Sequence, residues 1–190
     1  IWFVGALLPI LIASPILWSK LHEYQRHRVL DFLSPTRDPQ GTSYNLIQAI
    51  IAVGSGQIIG KGFSQGSQSG LAFLPEKQTD FIFASVAEGL GFIGCSIIVI
   101  TFTFLGYRIY RICQETEDTF SKLLAAIIFI MIYINFFVNI GMNLGILPVV
   151  GVTLPFVSFG GSSLVSYFIM LGMLSSISIS RKHRDMLEIR

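Results

Sequence analysis

LPEKQTDFIFASVAEGLGFIG, residues 74–94, sets a dense polar cluster directly against a long apolar run that continues to residue 107 with only Glu88 interrupting it. At 1.5 Å per residue a helix over 81–107 extends about 40 Å, more than the hydrocarbon core of a bilayer needs. Asp80 then falls where a transmembrane helix meets water. A bilayer excludes carboxylates from its centre but tolerates them at its rim or in a wet cavity, so the polar cluster is either an anchor or a working site.

Outward from that stretch the composition agrees. The chain has 190 residues, 52% of them hydrophobic, 13% charged and 16 of them Phe, with a mean hydropathy of +0.68. That is too apolar for an ordinary soluble domain and predicts an all-α, polytopic helical membrane protein. The formal charge of +2 is too small, and the basic residues too scattered, for a nucleic-acid partner. Cys95 and Cys113 have neither a CxxC spacing nor a His partner, so they imply neither zinc nor a disulfide framework.

Hydropathy predicts four spans, over residues 1–18, 81–107, 123–150 and 154–179, joined to a long outer loop over 19–80. The first contains Pro9 and Pro15, which membrane helices accept as kinks. It opens at Ile1 without an initiator Met and lacks the basic flank of a signal peptide, so a fragment of a longer protein is expected. Arg108, Arg111 and Lys122 flank the connection after the second span, and Arg181, Lys182, Arg184 and Arg190 follow the fourth. These put both connections in the cytoplasm, and the 19–80 loop and the turn near Pro148 and Pro155 outside. Within the loop, residues 20–33 read as an interfacial helix, DPQGTS over 38–43 as a turn, and the apolar 46–53 as a segment too short to span.

The stretch GSGQIIGKGFSQGSQSG, residues 54–70, invites a phosphate-binding reading, but Ser55 stands where a Walker loop needs its first Gly and Gly62 where it needs Ser or Thr. It is read as a flexible surface loop or as a direct substrate contact. Asn135, Asn139 and Asn143 recur every four residues on one helical stripe, the pattern of interhelical hydrogen bonding. Glu88, inside a span, must be neutral, paired or lining water. A helical separation of about 12 Å along the axis, with faces about 80° apart, keeps it from forming a dyad with Asp80. For Asp80 itself, capping of the following helix and catalysis both fit.

Four motifs in order, YQRHRVLDFLSP from Tyr24, GSGQIIGKG from Gly54, LPEKQTDFIFASVAEGLGFIG from Leu74 and GILPVVGVTLPFVSFGGSSL from Gly145, resemble the SEDS family, the RodA/FtsW/SpoVE group of bacterial cell-wall glycosyltransferases. The resemblance implies about ten spans, of which this chain looks like the C-terminal portion, in the bacterial cytoplasmic membrane. It implies polymerisation of lipid II at the outer face, release of undecaprenyl pyrophosphate, and pairing with a class B penicillin-binding protein. The family's essential acidic residue in TDFIF maps onto Asp80. Gln78 stands where His is common, Gly89 where a second Glu is usual, and Phe159 where Tyr is frequent. ILPVVGVTLP looks more like the RodA elongation branch than the division branch.

On this resemblance Asp80 is the expected general base. Lys77, Lys61 and Arg28 are the nearest cations for a leaving pyrophosphate, and Glu88, Ser158 and Ser162 are further candidates for substrate contact. Ser158, Ser162 and Ser163 also suit capping and packing of the last span. A divalent cation would assist by the same charge argument, but no ligand cluster demands one and no other cofactor is expected. Two rival readings are a lipid-precursor transporter and a membrane scaffold for cell-wall enzymes.

Overall fold

The computed structural model describes residues 19–33, 42–62 and 78–188. Among the described residues all regular structure is helical: α1 (Glu23–Leu33), α2 (Thr42–Ser55), α3 (Ile82–Glu115), α4 (Thr119–Asn143) and α5 (Gly161–Glu188). The expected first span, most of the 38–43 turn, the far half of the Gly/Ser loop and Lys77 lie outside the described residues. Thr42 and Ser43, assigned to the turn, open α2.

Among the described residues three helices, Ile82–Glu115, Thr119–Asn143 and Gly161–Ile179, are long and apolar enough to cross a membrane. The expected interfacial segment is the short helix α1, where the His22 N–H donates to Gln25 Oε1 at 3.1 Å, satisfying one of the amides a helix start leaves open. The apolar 46–53 segment forms most of α2.

The α3 to α4 turn is tight. Thr116 Oγ1 donates back to Ile112 O at 2.6 Å, and Asp118 caps α4 by accepting from the Ser121 N–H at 2.9 Å. At its other end α4 closes in a Schellman motif, with the Ile146 N–H on Gly141 O at 2.8 Å and Gly145 at φ +71°. Hydropathy carries the third span on to Val150, but the helix stops at Asn143 because Gly145 turns left-handed and Pro148 follows. Residues 144–160 are apolar yet non-helical, and Leu154 and Pro155 are buried against the bundle. Irregular backbone of this kind is stable when the surrounding protein pairs its polar groups.

The main core lies between α3, α4 and α5 and includes Phe102, Ile109, Ile128, Ile132, Phe136, Leu154 and Tyr167. Phe102 and Phe136 stack with ring centroids 4.3 Å apart. Gly106 lets α4 come close, for a Cβ there would meet the Tyr133 hydroxyl at 1.8 Å. A second cluster, Ala49, Ala52, Phe81 and Ala84, seats α2 on the start of α3.

Helix α3 is broken at Gly91, whose φ of 64° and ψ of −158° are not helical. Residues 57–62 dock into this break. The Lys61 and Gly62 N–H groups donate to Glu88 O and Gly89 O, both at 2.9 Å, while the Phe92 and Ile93 N–H groups donate to Gln57 O and Ile58 O at 2.8 and 3.2 Å. The backbone groups that the break would strand in an apolar setting are thus paired across it. GSGQIIGKG is therefore, through residue 62, neither a free surface loop nor a phosphate cradle but the plug of a helix break. Its glycines permit the approach: a Cβ on Gly60 would lie 2.2 Å from Gly89 O, and one on Gly91 would lie 2.4 Å from Gly60 N.

Candidate functional site

Residues 78–81 form a turn just ahead of α3, and the N-cap position falls on Phe81, one residue after Asp80, with no side-chain cap hydrogen bond. Phe81 is buried in the α2 cluster and pins the turn from one side. From the other side, three consecutive carbonyls are taken by donors remote in sequence. The Phe159 N–H donates to Gln78 O at 2.8 Å, Ser158 Oγ donates to Thr79 O at 2.6 Å, and the Asn139 and Asn143 side-chain amides donate to Asp80 O at 2.9 and 3.0 Å. A turn held at every carbonyl has little freedom left, so the Asp80 side chain springs from a fixed base.

The half-buried Asp80 carboxylate lies beside Gly151, where a Cβ would sit 3.3 Å from Oδ2. Gly151 has φ +75° and lies in the irregular segment between α4 and α5. That segment is held to α4 by Asn139 Nδ2, which also donates to Val152 O at 2.7 Å. Ser158 is 2% exposed and accepts the Leu154 N–H at 2.8 Å while donating to Thr79 O, so both functions of its hydroxyl are used inside the protein. It builds the site. Ser162 is exposed in the first turn of α5, and its carbonyl accepts from Ser166 Oγ at 2.9 Å.

Glu88 is completely buried, and its carbonyl receives the Lys61 N–H at the helix break. The Lys61 side chain is exposed. Arg28 sits on α1 with its guanidinium 5.8 Å from the centroid of the Tyr24 ring. The structure therefore brings Asp80 together with Ser158, and Lys61 with Glu88 through the backbone, while Arg28 is on a separate helix. Sequence reading foresaw the Asn stripe as interhelical, and Asn135 does donate to the Tyr167 hydroxyl at 2.8 Å. That the other two amides converge on Asp80, and that Gly151 walls its carboxylate, had no local signal.

Below the turn an apolar groove of about 510 Å³ runs along α3 from Phe83 to Ile100, walled by Val53 of α2 and Ile140 of α4. Among the described residues no group of three or more His, Cys, Asp or Glu side chains gathers in metal-binding geometry.

Residues 1–183 match the family model FTSW_RODA_SPOVE, described as cell cycle protein. The chain is 45% identical over 184 residues to the peptidoglycan glycosyltransferase MrdB of Escherichia coli K12, covering 95% of this chain and 50% of the relative. It is 42% identical over 155 residues to the stage V sporulation protein E of Bacillus subtilis, covering 82% of this chain and 42% of that one. A probable peptidoglycan glycosyltransferase FtsW of Geobacter metallireducens is 41% identical over 160 residues, covering 84% and 42%. The chain thus spans about half the length of these relatives. Among solved structures it superposes with a TM-score of 0.77 and 28% identity on a chain described under the structural coordination of polymerization and crosslinking by a peptidoglycan synthase complex, covering 94% of this chain and 48% of that one.

Proposed function

The chain belongs to the FtsW/RodA/SpoVE family, and on that premise we propose that it serves in polymerising lipid II into glycan strands at the outer face of the bacterial cytoplasmic membrane, with Asp80 as general base. The observation that carries the assignment is the immobilised turn: the carbonyls of Gln78, Thr79 and Asp80 are all engaged by donors from α4 and from residues 158–159. A base is effective when its carboxylate is already aimed, and such a group contributes about 10²–10⁴-fold.

The acceptor sugar hydroxyl gives its proton to the Asp80 carboxylate as its oxygen bonds to the donor's anomeric carbon. The bond from that carbon to the pyrophosphate oxygen breaks, and the lipid pyrophosphate departs with its electron pair. Because that bond is already activated, no other energy source is needed. The exposed Lys61, tethered at the helix break through its own N–H, suits the developing negative charge. Arg28 on α1, and Lys77 outside the described residues, are the other cations proposed for the same role. The groove that starts at Phe83, three residues beyond Asp80, suits an apolar tail beside a reacting head. By the solved relative's description, polymerisation is coordinated with crosslinking, which supports a class B penicillin-binding protein as partner.

One observation favours transport instead: a fully buried Glu88 beside a broken helix is a feature of transporter cavities. Full-length protein reconstituted in vesicles with labelled lipid II separates the two. Glycan strands are the expected product. Passage of label between leaflets with no glycan formed would overturn the reading.

A further inference from the structure

In an uninterrupted helix the Ala84 N–H would donate to Asp80 O, four residues back. Here the Asn143 side chain is spliced into that bond. Its Oδ1 accepts the Ala84 N–H at 3.0 Å and its Nδ2 donates to Asp80 O at 3.0 Å, so one amide group from α4 does the work of a peptide unit at the start of α3. The first turn is thereby held open by the width of an amide. One turn back on α4, Asn139 Nδ2 donates both to Asp80 O at 2.9 Å and to Val152 O at 2.7 Å. Val152 adjoins Gly151, the residue against which Asp80 Oδ2 rests. Asn143 Nδ2 further bonds Asn139 O at 2.8 Å, which locks the pair together. Both side chains are fully buried.

We propose that Asn139 and Asn143 are positioning residues for Asp80: Asn143 sets how far its backbone stands off the helix, and Asn139 fixes the gap between its carboxylate and the Gly151 wall. Neither touches the substrate. They act through the Asp80 carbonyl, so the proposal rests on the reading of Asp80 as the base. Two amides on α4 would thus tie catalytic geometry to the α3–α4 packing, making the site responsive to whatever shifts these helices against each other.

The test is a set of steady-state measurements on the full-length protein with lipid II, comparing Asn139→Ala, Asn143→Ala, Asp80→Asn and the doubles of each amide variant with Asp80→Asn. Each single amide variant is expected to lower kcat about 10–100-fold, the range a displacement of about 1 Å produces, with KM changed less than about threefold. In the Asp80→Asn background the same changes are expected to be silent, because the group they aim is gone. Asn135→Ala supplies the control. It removes an interhelical bond to Tyr167 from the same stripe without touching Asp80, and is expected to keep kcat within about twofold. Equal losses in both backgrounds, or wild-type kcat in folded Asn139→Ala, would overturn the positioning role. High activity in Asp80→Asn alone would instead overturn the base assignment. If Asn139→Ala does not accumulate as folded protein, Asn139→Leu, which keeps the volume and removes both donors, carries the same comparison, and a wild-type kcat there would overturn the proposal equally.

Discussion

Gly60→Ala tests the plug at the helix break. Gly60 has φ +84°, where an L-residue costs about 1–2 kcal/mol. Its Cβ would also lie 2.2 Å from Gly89 O, 2.5 Å from Gly89 C and 2.6 Å from Gly91 N, all backbone atoms that cannot swing aside. Residues 57–62 must therefore lift, loosening the hydrogen bonds of Lys61, Gly62, Phe92 and Ile93 across the break. At a net of about 1 kcal/mol per bond the combined loss is roughly 3–6 kcal/mol. Two neighbours separate the contributions. Gly62 has φ +85° but open space around it, so Gly62→Ala should cost only the conformational strain, about 1–2 kcal/mol. Gly54 sits in α2 with open space, so Gly54→Ala should be neutral or stabilising by up to about 1 kcal/mol. Denaturant unfolding of the full-length protein in mixed micelles, followed by circular dichroism, reads all three. Equal losses for Gly60→Ala and Gly62→Ala would refute the docked loop.

Gly151→Ala puts a methyl 3.3 Å from Asp80 Oδ2 at a residue with φ +75°, and should lower the kcat of lipid II polymerisation while leaving KM near wild type; a proportional rise in KM alone would count against it. Ser158→Ala strips Thr79 O and the Leu154 N–H of their shared partner, and should cost about 1–3 kcal/mol in the same unfolding experiment and reduce turnover as well. Asp118→Ala removes the α4 cap at the opposite end of that helix from the Asn143–Asp80 contact, and should cost about 1 kcal/mol with polymerisation unchanged. Loss of turnover there would mean that the two ends of α4 are coupled.

The sequence makes α3, α4 and α5 legible because each carries a run of apolar residues longer than a soluble helix uses, and it marks Asp80 because polar LPEKQTD abuts one such run. What it hides are the breaks. GLGFIG around Gly91 is as apolar as the rest of α3, and only the docking of residues 57–62, some thirty positions earlier, makes a non-helical glycine stable there. Residues 144–160 are equally misleading, since their hydropathy continues the spans on either side while Gly145, Pro148, Gly151 and Pro155 keep them out of helix. The Asn stripe could be read as a stripe from its spacing of four. Its target could not, because the bonds from Asn139 and Asn143 to Asp80 reach across 59 and 63 residues. Ser158 drew attention beside the glycines as a possible head-group contact, and burial at 2% exposure turns it into a strut under Thr79.

Whether the Asp80 carboxylate is the base is decided by Asp80→Asn in the full-length protein, assayed for glycan formation from lipid II alongside its unfolding midpoint. The carbonyl contacts that hold the turn are backbone to Asn139 and Asn143 and survive the change, so the fold should be intact. Polymerisation is expected to fall about 10²–10⁴-fold at an unchanged midpoint. Polymerisation near the wild-type rate would contradict it.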